Sequence, residues 1–119
     1  MSSVGKKYKR ETAAYLAQGY PKELATLKPN TGYLLKVRFR FTDLENKTWP
    51  TSAKTRYKRI DASNRLKLLE DVIAEVSGID DSQNLTVVLE KIQGIEECTE
   101  VWIWDLDADH QVFTRVFSV

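Results

Sequence analysis

Residues 33–41, YLLKVRFRF, alternate between apolar and charged side chains from Leu35 onward. A period of two is typical of a strand with one buried face. The face predicted to enter the core carries Tyr33, Leu35, Val37, Phe39 and Phe41. The opposite face carries Lys36, Arg38 and Arg40, so the pattern predicts a half-buried strand with a positive outer surface.

Two segments with helical character flank this strand. Residues 6–18 contain strong helix formers and no glycine or proline before Gly19, which stands where a C-terminal cap is expected. A second helix is predicted to begin near Asp61 or Ser63, both good N-cap residues, and to end at Gly78. Its apolar side chains fall within about 80° of arc and are predicted to face the core. They are Ala62, Leu66, Leu69, Ile73 and Val76.

Three further strands are predicted at 85–92, 99–106 and 111–119, joined by short turns that favour antiparallel hairpins. Trp102 and Trp104 project to one side of their strand, which predicts core packing, with a dimer interface as the alternative. The predicted fold class is α/β (α+β): a single domain over residues 1–119, with one small mixed sheet of about four strands and two helices packed on it.

Residues 42–60 form a long loop without periodicity, and loops of this length are usually functional or mobile. Trp49 in this loop is predicted either to stack on an unpaired nucleic-acid base or to anchor the loop.

The formal charge of +1 hides a strong asymmetry along the chain. Residues 1–60 hold 14 Lys/Arg and 4 Asp/Glu, whereas residues 61–119 hold 4 and 13. The basic half predicts a surface for a polyanion such as DNA, unless the two halves pair with each other through surface salt bridges. The candidate DNA-binding residues are Lys36, Arg38, Arg40, Lys54, Arg56, Lys58 and Arg59.

A lone cysteine, Cys98, excludes an intramolecular disulfide and a cysteine-rich zinc site. Any metal is therefore expected to have oxygen ligands, and a reducing cytoplasm is the expected compartment. The basic N-terminus is followed by no apolar run, and 18 consecutive apolar residues occur nowhere, so neither a signal peptide nor a membrane span is expected.

Acidic residues stand at both ends of the second helix: Asp61 before it, and Asp80 and Asp81 after it. A helix of about 16 residues is about 24 Å long, so these acids share a metal only if the fold brings the two segments together. We expect them to meet at one edge of the sheet. The alternative for GIDDSQ, residues 78–83, is an ordinary polar turn.

Two carboxylates at contact distance repel by about 4 kcal/mol at an effective dielectric of 20, which a divalent cation would relieve. Mg²⁺ prefers such hard oxygen ligands. A carboxylate-bound metal beside a basic surface is typical of phosphodiester hydrolysis. Lys67 shares a helix face with Asn64, Asp71 and Glu75 and would offset charge on the phosphate, although a solvated face is the ordinary explanation of such a stripe.

The segment KRIDASNRLKLLEDVIAEVSGIDDSQ, residues 58–83, resembles the RusA family of Holliday junction resolvases. The resemblance lies in the spacing of six features. They are Asp61, Asn64, Lys67, Asp71, Gly78 and the sequence DDSQ at 80–83. It implies a structure-selective, Mg²⁺- or Mn²⁺-dependent endonuclease, common in prophages, that acts as a homodimer on branched DNA and nicks two opposed strands.

The resemblance also implies residue roles. Asp61, Asp81 and Lys67 match the catalytic residues, with Asp61, Asp81 and Asp80 as metal ligands. Supporting roles fall to Ser63, Asn64 and Asp71.

The chain departs from the family pattern in two places. Ser63 replaces an expected aspartate, and the family's N-terminal strand is not found before the first helix, so the strand at 111–119 is expected to cover a sheet edge. The alternative function is therefore a catalytically impaired, junction-binding relative. A third interpretation is a protein-interaction domain whose halves pair by charge.

Overall fold

The computed structural model describes residues 3–19, 21–58, 60 and 62–117. The helices are α1 (Ser3–Gly19), α2 (Pro21–Ala25) and α3 (Ala62–Ser77). The strands are β1 (Tyr33–Phe41), β2 (Asn84–Gln93), β3 (Cys98–Asp105) and β4 (His110–Phe117), and a 3-10 turn, Asp81–Gln83, precedes β2. The predicted α+β class, with one mixed four-stranded sheet, is confirmed. Neither the short helix α2 nor the 3-10 turn was predicted.

The sheet has the strand order β2-β1-β3-β4. β1 and β2 are parallel and joined through α3, while β3 is antiparallel to both β1 and β4. The predicted hairpin of β3 and β4 is confirmed, but the one between β2 and β3 is wrong because β1 lies between them. After β2 the chain passes the end of β1, where the Gly94 N–H donates to the Phe41 carbonyl at 2.9 Å, and continues on the far side.

The core lies between the helices and one face of the sheet. The predicted inward residues of β1, from Tyr33 to Phe41, are all buried. The predicted apolar stripe of α3 faces them, with Ala62, Leu69 and Ile73 buried together with Val72. Both amphipathic patterns are therefore confirmed. Among the described residues, no helix is both long enough and apolar enough to cross a membrane.

The outer face of the sheet carries both tryptophans of β3, so the predicted core packing of Trp102 and Trp104 is wrong. Trp102 is half-buried beneath Lys36 Nζ and Arg38 Cζ, which lie 5.2 and 5.3 Å from the ring centroid, and Trp104 is 36 % exposed. The buried cluster draws on all three helices but on only one sheet face, which leaves these rings beside charged neighbours.

We expect Leu69→Ala to lower the free energy of unfolding by about 2–5 kcal/mol, because Leu69 is fully buried and the change leaves a cavity. Ile95→Ala is the control, since Ile95 is 97 % exposed, and its effect should stay within about 0.5 kcal/mol. Urea denaturation at fixed protein concentration measures both. Similar losses in the two variants would contradict the assigned core.

Candidate functional site

The turn after α3 has a defined local structure. Gly78, at φ +82°, ends the helix, and its N–H donates to the Ala74 carbonyl at 2.8 Å. Asp80 then caps the 3-10 turn: its Oδ1 accepts the Ser82 N–H at 2.8 Å, and the Gln83 side chain accepts the Asp80 N–H at 3.0 Å. The Ser82 hydrogen bond holds the pKa of Asp80 below its ordinary value. Asp80 therefore has a structural role in the polar turn.

Gln83 fastens this turn to the segment before β1, because its Nε2 donates to the carbonyls of Lys28 and Thr31 at 2.8 and 3.0 Å. The turn leaves Asp81 exposed. A predicted site residue is thus presented to solvent by a turn that is anchored on both sides.

Asp81 lies near a second carboxylate, Glu70, which our sequence analysis missed. Partial burial raises the pKa of Glu70, and the charges of Asp81 and Asp71 raise it further. Opposing this, Asn84 Nδ2 donates to Glu70 Oε2 at 3.3 Å. The available sequence signal was spacing, since Glu70 lies three residues after Lys67 and therefore near it on the helix surface. We call Glu70, Asp71 and Asp81 the acidic end of α3.

The other end of α3 lies across the molecule. Asp61 and Arg59 lie outside the described residues, but Ile60 and Ala62 are described. The Ile60 carbonyl accepts from Lys91 Nζ at 3.0 Å, which places Ile60 near the end of β2. Asp81, in contrast, directly precedes β2.

Ile60 and Asp81 lie far apart within one chain. Asn84 to Lys91 spans about 23 Å at about 3.3 Å per residue, and the 16 residues of α3 span about 24 Å. We expected the Asp61 segment and the Asp80–Asp81 turn to meet at one sheet edge. Asp61 lies outside the described residues, but its described neighbour Ile60 lies towards the opposite end of β2 from that turn. The reason is that a helix joining two parallel strands runs back along the sheet, so its ends lie at opposite ends of the strands.

The exposed face of α3 runs between those ends. Ser63, Asn64 and Lys67 are exposed, and Asp71 is half-buried. Within the described part of the chain, Lys67 has no carboxylate within 4.0 Å. Its ammonium is available to an anion.

The predicted basic face of β1 is an ion-pair ladder. Lys36 Nζ and Arg38 Nε lie 3.1 and 3.2 Å from Glu90 of β2. Arg38 also pairs with Glu100 of β3 at 3.4 Å, and Arg40 pairs with the same carboxylate. The two cations lower the pKa of Glu90. Charge pairing between the two halves of the chain, one of our alternatives, thus holds for this face and leaves it nearly neutral.

The loop between β1 and α3 is crossed by hydrogen bonds over residues 42–58. Asn46 N–H donates to the Arg56 carbonyl at 2.7 Å, and Lys58 N–H donates to the Leu44 carbonyl at 2.8 Å. Gln93 of β2 accepts the N–H groups of Leu44 and Glu45 at 2.8 and 3.0 Å.

The predicted DNA-binding side chains of this loop differ in their pairing. Lys58 Nζ contacts Asp43 at 2.5 Å, and Arg56 lies 3.7 Å from Glu45. Lys54 is exposed and forms no ion pair with the described acids. Among the described members of this predicted set, Lys54 is therefore the loop cation without a competing carboxylate.

The donor chemistry at the acidic end suits a hard divalent cation, because every available ligand is a carboxylate or amide oxygen. Burial raises the pKa of the Cys98 thiol, which disfavours thiolate ligation. Across the residues that the structure describes, no three Asp, Glu, His or Cys side chains converge on one point. The acidic end thus fits one part of a metal site.

Comparison with known protein families identifies the family of the chain. A family model described as endodeoxyribonuclease RusA matches residues 1–104. The matched region runs from α1 into β3 and contains α3 and the Asp81 turn. No curated protein and no solved structure matches the chain.

We expect Glu70→Gln to stabilise the protein at neutral pH. When folding raises the pKa of an acid, the protein becomes less stable as the pH rises. For Glu70 the loss begins near its ordinary pKa of 4.5 and is complete above its folded-state pKa. The gain at pH 7 should stay below about 1 kcal/mol, since solvent screens this partly exposed group, and should vanish below about pH 4. Urea denaturation at both pH values measures it, with exposed Glu75→Gln as control. An equal gain in the control would contradict the assignment.

Proposed function

Since the chain belongs to the RusA family of endodeoxyribonucleases, a family of Holliday junction-resolving endonucleases, we propose that it nicks two opposed strands of a four-way DNA junction. The observation that carries this proposal is the exposed Asp81 beside Glu70, presented by an anchored turn. Asp81 is exposed to solvent, whereas its neighbour Asp80 caps the turn.

We propose Asp81 and Asp61 as the principal ligands of a divalent ion, Mg²⁺ or Mn²⁺. When bound, such an ion activates water and stabilises the leaving oxygen in phosphodiester hydrolysis. Asp80 is the weaker ligand candidate, because one of its oxygens already accepts the Ser82 N–H. Lys67, exposed between the two ends of α3, would offset the charge of the bound phosphate.

The separation of the two ends of α3 makes the proposed homodimer a requirement for catalysis. If one chain cannot bring the Asp61 segment to Asp81, a second copy can supply the missing carboxylate. A two-fold axis would then create two identical sites, which suits a junction with two opposed strands to cut.

β2 is the surface that we propose for this pairing. It is an edge strand, its start follows Asp81, and its end contacts Ile60 through Lys91. An antiparallel pair of β2 edges would set the start of one strand opposite the end of the other. Leu85 and Val87 on this strand are exposed apolar side chains, as an interface strand would have.

Subunit mixing tests the shared site. We expect the cleavage rate of Asp61→Asn and Asp81→Asn homodimers to fall by at least about 100-fold. Mutating a residue that only hydrogen-bonds a metal ligand already lowers activity by about 10- to 100-fold. Heterodimers of the two, purified through different tags, should regain one intact site and nick a labelled four-way junction in one strand. The other site of that heterodimer would carry both changes.

The matched control is a heterodimer of Asp81→Asn with the Asp61→Asn, Asp81→Asn double variant, which has no intact site. If the mixed heterodimer binds the junction but does not regain cleavage, the result would contradict a shared site. Wild-type protein that shifts the junction without cutting it in Mg²⁺, Mn²⁺ or EDTA would instead favour the catalytically impaired relative, for which the neutral Ser63 in the first turn of α3 is the supporting observation.

We propose the loop as the main phosphate contact, because the three cations of the β1 face already pair with Glu90 of β2 and Glu100 of β3. Lys54→Ala should lower the log-log salt slope of duplex binding by about 0.9, the contribution of one phosphate. Lys36→Ala, whose ammonium lies on Glu90, should change it much less. Fluorescence anisotropy across a salt series measures both slopes, and equal changes would refute the assignment.

A further inference from the structure

Two aromatic rings and a guanidinium form a stack on the surface of the loop. Arg56 Cζ lies 5.9 Å from the Trp49 ring centroid and 5.3 Å from that of Tyr57. Trp49 is 45 % exposed and Tyr57 is 49 % exposed. Exposed apolar side chains that lie together form a candidate binding surface. We call these three residues the loop stack.

The loop holds the stack in place through its backbone. Trp49 N–H donates to the Asn46 carbonyl at 3.1 Å, and Asn46 Nδ2 donates to the Thr55 carbonyl at 2.7 Å. Glu45 and Tyr57 form an antiparallel bridge between the two arms of the loop. Because these contacts hold the loop backbone, binding a ligand there requires less backbone ordering.

A cavity of about 460 Å³ opens beside the stack, between the loop and β2. Tyr57 belongs to both the stack and the cavity wall. Cavities of about 300–1,000 Å³ hold small ligands. The wall also includes Lys91, whose ammonium contacts the carbonyl of Ile60 near the start of α3. The cavity therefore lies next to one end of the proposed catalytic helix.

We propose that the loop stack binds an unpaired DNA base at the branch point, with the cavity beside Tyr57 receiving it. This inference rests on the proposed junction-binding function. Bases stack on aromatic side chains whatever their sequence, and arginine adds a cation–π contribution. A base within continuous duplex is already stacked on its neighbours, so the loop stack favours branched over linear DNA.

The surrounding charges favour DNA over an apolar peptide as the occupant. The same loop exposes Lys47 and Lys54, and its two acids, Asp43 and Glu45, lie against Lys58 and Arg56. A nucleotide offers both a flat ring for the stack and a phosphate for the exposed lysines.

The test uses the full chain carrying Asp81→Asn, with a four-way junction labelled by 2-aminopurine at the branch point and a duplex of the same sequence. Adding Trp49→Ala should weaken junction binding by about 5- to 150-fold, as expected for the loss of base stacking, while duplex binding changes less than about two-fold. The 2-aminopurine fluorescence change on binding should disappear. Trp49→Phe should keep most of both signals.

Trp104→Ala is the matched control, because it removes an exposed tryptophan from the outer sheet face. It should leave junction binding unchanged. Circular dichroism melting shows whether Trp49→Ala has kept its fold, and Tyr57→Ala, which removes the other ring, gives a second route to the same loss.

Unchanged junction binding in both Trp49→Ala and Tyr57→Ala would overturn the base-binding site while leaving the nuclease proposal intact. Equal weakening on junction and duplex would also overturn it, since the stack would then act without regard to unpaired bases. A parent protein that binds no junction would overturn both proposals. If the wild type does not cleave the junction but Trp49→Ala still weakens junction binding, only the nuclease proposal would be overturned.

Discussion

The crossover from β1 through α3 to β2 is the constraint on which the placement of the site depends. Because β1 and β2 are parallel, α3 must run back along the sheet, and its two ends cannot meet. The direction of the crossover therefore puts the Asp81 turn at one end of β2 and Ile60 near the other. This separation is the reason that the proposed catalytic site draws on a second copy of the chain.

Charge is distributed by the same sheet. β1 lies between β2 and β3, so its three cations meet Glu90 on one side and Glu100 on the other. What looks like a basic strand in the linear chain becomes an internally paired ladder. The exposed positive charge moves to the loop after β1, where Lys54 stands without an acid among the described residues.

The loop brings recognition and chemistry close together. Gln93 of β2 fixes its start, Lys91 of β2 contacts its end, and the stack of Trp49, Arg56 and Tyr57 stands on its surface. One edge strand thus supports the proposed base-binding cavity, the entry to α3 and the proposed pairing with a second copy. Selection of branched DNA and cleavage would be coupled through that strand.

Local patterns in the sequence determined the elements: the alternation in β1, the stripe of α3 and the capping residues around Gly78 follow from periods of 2 and 3.6 and from backbone preference. The motif from Lys58 to Gln83 likewise resembles the family to which the chain belongs. Tertiary structure alone decided that β1 separates β2 from β3, that Glu70 joins Asp81, and that the ends of α3 stay apart. Those outcomes depend on strand order and on contacts between distant residues, which periodicity within a segment does not encode.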